Sequence, residues 1–97
     1  MSRLTKELKM LGFFCFKENE LYMLDTGKYT SLIIEGYKKQ NDIYYRYTFY
    51  KQTFHKHHSN SVTTYGKRLT PAKLLERVRI YLSNRTNYLN GRSKTSL

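Results

Sequence analysis

Residues 43–54 read IYYRYTFYKQTF, an alternation that sets Ile43, Tyr45, Tyr47 and Phe49 on one side of an extended chain and Tyr44, Arg46, Thr48, Tyr50 and Gln52 on the other. Tyrosine, phenylalanine and threonine favour that conformation because they pack well on a pleated surface. The stretch is expected to be the principal strand of a sheet, and the rest of the chain must supply its neighbours.

Shorter β-prone runs precede it. Phe13–Phe16 and Leu21–Leu24 flank the polar Lys17-Glu18-Asn19-Glu20 and read as a hairpin. Asp25-Thr26-Gly27-Lys28 reads as a turn into a strand over 29–37, and 38–42 as a polar loop into the principal strand. Beyond it, 55–61 is a polar connection, 62–65 one more short strand and Gly66-Lys67-Arg68 a basic turn.

Two helices bracket these runs. Ser2 caps residues 3–11, where Leu4, Leu8 and Leu11 recur at helical spacing and Gly12 suits a left-handed stop. Thr70-Pro71 starts the second, over 71–83, whose Leu74, Leu75, Val78, Tyr81 and Leu82 fall within about 120° of one another around the helix. The expected fold is α+β, in the order α-β-β-β-β-α: a small antiparallel sheet of three to five strands with an N-terminal and a C-terminal helix on one face. Residues 1–83 make a single domain, and 84–97 a basic, polar, flexible extension.

The chain of 97 residues has 18 Lys and Arg against 7 Asp and Glu, a net charge of +11. Residues 1–50 carry 8 basic and 6 acidic groups, whereas 51–97 carry 10 basic groups and only Glu76. A positive face from the C-terminal half favours polyanionic partners. Cys15 is the single cysteine, so an intrachain disulfide is excluded and a reduced thiol is expected; with no long apolar segment, the expected location is the cytoplasm. One alanine, one proline and abundant Lys, Tyr, Asn and Ile resemble the usage of AT-rich genomes such as low-GC bacteria and their phages.

Two helices cover only one face of such a sheet. If Tyr45, Tyr47 and Phe49 face them, Tyr44, Arg46 and Tyr50 face solvent and offer flat rings for bases and a cation for phosphate; the same residues also suit a merely solvated strand face. Lys67, Arg68 and Lys73 surround the start of the second helix, where they and its free N–H groups attract phosphate. Lys73, Arg77 and Ile80 lie opposite its apolar stripe, leaving Ile80 exposed among cations. These eight residues, Tyr44, Arg46, Tyr50, Lys67, Arg68, Lys73, Arg77 and Ile80, form the expected contact surface.

Gly66-Lys67-Arg68-Leu69-Thr70-Pro71-Ala72-Lys73 loosely resembles the approach to the second helix in double-stranded-RNA-binding domains, which share an α-β-β-β-α order. The family's lysine pair has no counterpart, and its alanine-rich helix is replaced by Leu74-Leu75-Glu76-Arg77-Val78. Leu11-Gly12-Phe13 after the first helix resembles the opening of HicA-type ribonuclease toxins, but their Gly-Ser-His segment is absent. Neither likeness reaches membership.

His55, His57 and His58 have the chemistry for general acid–base cleavage of RNA without metal. As metal ligands they lack a neighbouring carboxylate and have Lys51 and Lys56 to repel a cation. There is no P-loop, dinucleotide fingerprint, nucleophile elbow or acidic cluster for Mg²⁺, so neither cofactor nor metal is expected. The leading expectation is a non-enzymatic protein binding nucleic acid or a nucleoprotein complex. The alternatives are a phage-encoded inhibitor or adaptor, anti-CRISPR-like, acting on a host nuclease, and a metal-independent toxin-like ribonuclease. A sheet edge is a further route to a homodimer.

Overall fold

The structure is a computed structural model describing residues 2–55 and 59–95, with side chains described as far as residue 85 in the final helix. Helix α1 (Arg3–Met10) begins where the Ser2 side chain accepts the Thr5 N–H at 3.1 Å, and stops where Gly12 takes a left-handed φ of 103°. Five strands follow: β1 (Phe14–Lys17), β2 (Leu21–Gly27), β3 (Thr30–Tyr37), β4 (Arg46–Thr53) and β5 (Ser61–Leu69), and then helix α2 (Pro71–Thr95). The strands form one antiparallel sheet in the order β1-β2-β3-β4-β5, each paired with its chain neighbour. The α+β fold expected from the sequence is the one observed, with five strands.

Both helices lie on one face. Leu4 and Leu8 of α1 and Leu74 and Val78 of α2 meet Tyr22, Leu32, Ile34, Tyr47 and Phe49 in a single core. Leu8, Leu32, Ile34, Phe49, Leu74 and Val78 are fully buried, each worth about 1.5–3 kcal/mol relative to exposure. A second aromatic cluster, Phe49, Tyr65 and Tyr81, ties α2 to β4 and β5.

Several boundaries differ from the sequence reading. Strand β4 begins at Arg46, not Ile43, because the last β3–β4 pair is Tyr37 with Arg46. Ile43 and Tyr44 therefore stand in the loop, 78% and 67% exposed, and Ile43 does not join Tyr47 and Phe49 in the core. Asp25–Gly27 belongs to β2, not to a turn, since Asp25 pairs with Ser31 and Gly27 with Thr30, leaving Lys28-Tyr29 as the turn. Gly66-Lys67-Arg68 is the end of β5, where Leu69 pairs with Tyr47. Helix α2 continues past residue 83 to Thr95; no proline interrupts 84–95, and each added residue gains a helical hydrogen bond.

The other face of the sheet is uncovered. Registers across all five strands bring Phe14, Met23, Ile33, Tyr50 and Thr64 into one row of directly opposed residues. Phe16 joins it from β1, its ring 4.7 Å from that of Phe14 in an edge contact. Ile33 is only 6% exposed although no helix lies over it, because its neighbours close around it.

Candidate nucleic-acid interface

Strand β5 is an edge strand, and its last residues do not pair regularly. Phe49 opposes Gly66 and Tyr47 opposes Leu69, so β5 spends three steps where β4 spends two. The extra residue is accommodated at Arg68, whose φ of 52° is left-handed. This bulge lets Leu69 return to the core while Lys67 and Arg68 remain exposed. Gly66 permits it: a Cβ there would come within 2.7 Å of the Leu69 side chain.

The chain then enters α2 directly. Thr70 Oγ1 accepts the Lys73 N–H at 3.2 Å, and the Thr70 carbonyl accepts the Leu74 N–H at 2.8 Å, the capped start expected from Thr70-Pro71. Lys73 and Arg77, four residues apart, share one side of α2. Arg77 donates to the Tyr65 carbonyl at 3.1 Å, so its guanidinium lies over β5, and Lys73 pairs with Glu76 at 3.5 Å. Arg79, two residues on, faces the other way and donates to Glu7 of α1 at 2.7 Å. Lys67, Arg68, Lys73 and Arg77 are thus gathered where β5 becomes α2, with Ile80, 51% exposed, beyond them along the helix.

Arg46 opens β4 next to the β4 residue that pairs with Leu69, so it belongs to the same end of the sheet. Its guanidinium donates to the Tyr45 carbonyl at 3.2 Å. Tyr44 stands in the connection leading to it. Lys38 and Lys39, read from sequence only as loop, are exposed in that same connection, where Asp42 accepts the Lys39 N–H at 3.2 Å. Their adjacency to the principal strand was the signal available for them.

Tyr50 is not part of this cluster. It is half-buried in the open-face row, and its hydroxyl donates to Glu35 at 2.6 Å. Burial, then the Glu35 carboxylate it serves and repels as an anion, pushes its phenol well above the ordinary range. Of the tyrosines and arginine expected along one face, Arg46 and Tyr50 do share the open face of β4, Arg46 at its basic end and Tyr50 in the apolar row, while Tyr44 stands in the loop.

His55 follows the far end of β4, its N–H donating to Asn60 at 3.2 Å and its ring 3.3 Å from Ser61 Oγ. Nine residues of extended chain, about 30 Å, separate it from Arg46. It cannot act on a phosphate held by the basic end. His57 and His58 lie outside the described residues. Among the described residues no group of three His, Cys, Asp or Glu side chains could hold a metal, and no helix is long and apolar enough to cross a membrane.

The residues missed from sequence are Phe14, Phe16, Met23 and Ile33 of the open face. An unbroken apolar run in a strand must place apolar groups on both faces, and Phe13–Phe16 is such a run. Comparison with known proteins finds no matching family model, no matching curated protein and no matching solved structure.

Proposed function

We propose that this chain is a small, non-enzymatic binding protein that engages nucleic acid, alone or in a nucleoprotein complex, through the end of the sheet where β5 turns into α2. The observation that carries the reading is the convergence of Lys67, Arg68, Lys73 and Arg77 on that junction, with Arg46 beside it. Glu76 and Glu7 are the acids near the start of α2, and both are already paired, Glu76 with Lys73 and Glu7 with Arg79. Exposed cations held on a strand end and a helix start make a rigid positive surface for phosphates, which supply most of the affinity of nucleic-acid binding.

The test is fluorescence anisotropy with labelled single- and double-stranded RNA and DNA at about 50 and 200 mM salt, where six phosphate contacts lower affinity by about 10³-fold. The expected result is tight binding to at least one form, steeply weakened by salt and abolished when Lys67, Arg68, Lys73 and Arg77 are all changed to Gln. Weak binding alike for all four forms would overturn the reading and leave the charge to an acidic protein partner.

A further inference from the structure

We infer that the uncovered face of the sheet is a homodimer interface, packed face to face against the same face of a second copy. It shares only Arg46 with the nucleic-acid reading and does not depend on it. The row Phe14, Met23, Ile33 and Tyr50 crosses four strands and is widened by Phe16; Phe14 and Phe16 are 63% and 56% exposed. Met23 and Tyr50 are partly exposed and Ile33 is covered, so the row offers two exposed rings backed by an apolar floor, which is a mark of an interaction site.

The charges around the row select the occupant. In the strand registers, Asp25 lies in the row on one side of it and Glu35 in the row on the other, both exposed. Two carboxylates flanking the rings repel phosphate, so a nucleic acid is the wrong partner for this face. The same face also carries Arg46, beyond Glu35, which has no carboxylate partner among the described residues. In a two-fold interface each copy offers the other the same surface, so a patch that carries both signs can pair with itself.

Charge distribution points the same way. The large positive excess belongs to residues 51–97, whereas residues 1–50, which supply β1, β2 and β3, are nearly balanced. The basic junction of β5 with α2 and the Phe14–Phe16 pair lie at opposite edges, about 19 Å apart across four strand spacings. Two copies can therefore meet through this face while their helices and basic junctions stay outside.

The size is adequate. Five strands of about seven residues present roughly 550 Å² in projection before side-chain relief, against about 800 Å² of accessible surface per partner in a standard interface. The edges are poorer routes: β1 has four residues and an irregular register, and β5 is bulged and bears Lys67 and Arg68.

The test is sedimentation velocity over a dilution series on the wild-type chain, Phe14→Lys with Phe16→Lys, and Met23→Lys, with circular dichroism confirming that each folds. The expected result is a wild-type dimer that raised salt strengthens, by screening the repulsion of two +11 chains, and monomers for both variants. Because Met23 lies on an interior strand, a dimer that survives Met23→Lys would overturn the inference in favour of edge pairing. So would a wild-type monomer at every concentration, or a monomer that binds single-stranded RNA through Phe14 and Phe16. A wild-type chain that dimerises yet binds no nucleic acid supports the interface and refutes only the proposed function.

Discussion

The phenol of Tyr22 shares a hydrogen bond of 2.7 Å with the hydroxyl of Thr5, and both residues are fully buried. The same phenol oxygen accepts the N–H of Asn19 at 2.7 Å, in the turn between β1 and β2. The first turn of α1 and the first hairpin are thereby fastened to one group. Tyr22→Phe strands the Asn19 N–H and leaves the Thr5 hydroxyl only its bond from Ser2, a loss of about 1–3 kcal/mol. Urea unfolding measures it. Combining it with Thr5→Val is expected to cost less than the two changes added, since each removes the same bond.

Gly36 has no room for a side chain. A Cβ there would overlap the Asn19 carbonyl oxygen and come within 2.8 Å of the Tyr47 ring, while the Gly36 N–H already donates to the Glu20 carbonyl at 2.9 Å. The obstacle is backbone and cannot rotate away. Gly36→Ala is expected to destabilise by more than about 3 kcal/mol, among the larger effects of a single substitution. A thermal melt close to that of the wild type would show that the turn yields.

Alkaline pH is expected to destabilise the chain through its buried phenols. Burial, then the neighbouring Tyr22 and Tyr45, pushes the Tyr47 phenol from an ordinary 10.0 up to about 12. Tyr22, Tyr50 and Tyr81 are raised as well, burial being the largest cause in each. A raised phenol keeps its proton in the folded chain while the unfolded chain releases it. Stability is therefore whole below pH 10 and falls as pH rises towards 12. Melting temperature followed beside tyrosinate absorbance tests this; a melting point constant over that window contradicts it.

The basic junction makes a graded prediction. Neutralising one phosphate-binding cation reduces the slope of log affinity on log salt by about 0.9 for duplex DNA. Lys67→Gln is expected to change the slope and leave stability alone, because Lys67 is exposed with no ion pair among the described residues. Arg77→Gln is expected to change both, since it also removes a bond to the Tyr65 carbonyl. Equal salt slopes in wild type and variants would place the phosphates elsewhere.

Local signals were legible in the sequence where a single residue sets the geometry. Ser2, Gly12, Thr70 and Pro71 mark helix ends through caps and dihedral preferences, and they lie where the structure has those ends. The alternation of Tyr47 and Phe49 likewise survives as buried residues. What failed was information held by a partner strand. Ile43 and Tyr44 continue the alternation perfectly well, but β3 has no residue beyond Tyr37 to pair with them. Gly66-Lys67-Arg68 has turn-like composition, yet the demand that Leu69 oppose Tyr47 makes it a bulged strand end. The open-face row was invisible for the same reason: Phe14, Met23, Ile33 and Tyr50 are neighbours only after four registers are known.

The order of the strands has a kinetic meaning. Because every strand pairs with the one before it in the chain, the sheet can be laid down hairpin by hairpin during synthesis, each step closing only a short loop at small entropic cost. The helices alone demand a distant meeting: Arg79 reaches Glu7 across 72 residues. Until α2 has emerged and docked, α1 alone covers the core side of a nearly finished sheet. The docking of α2 is therefore the step that completes the core.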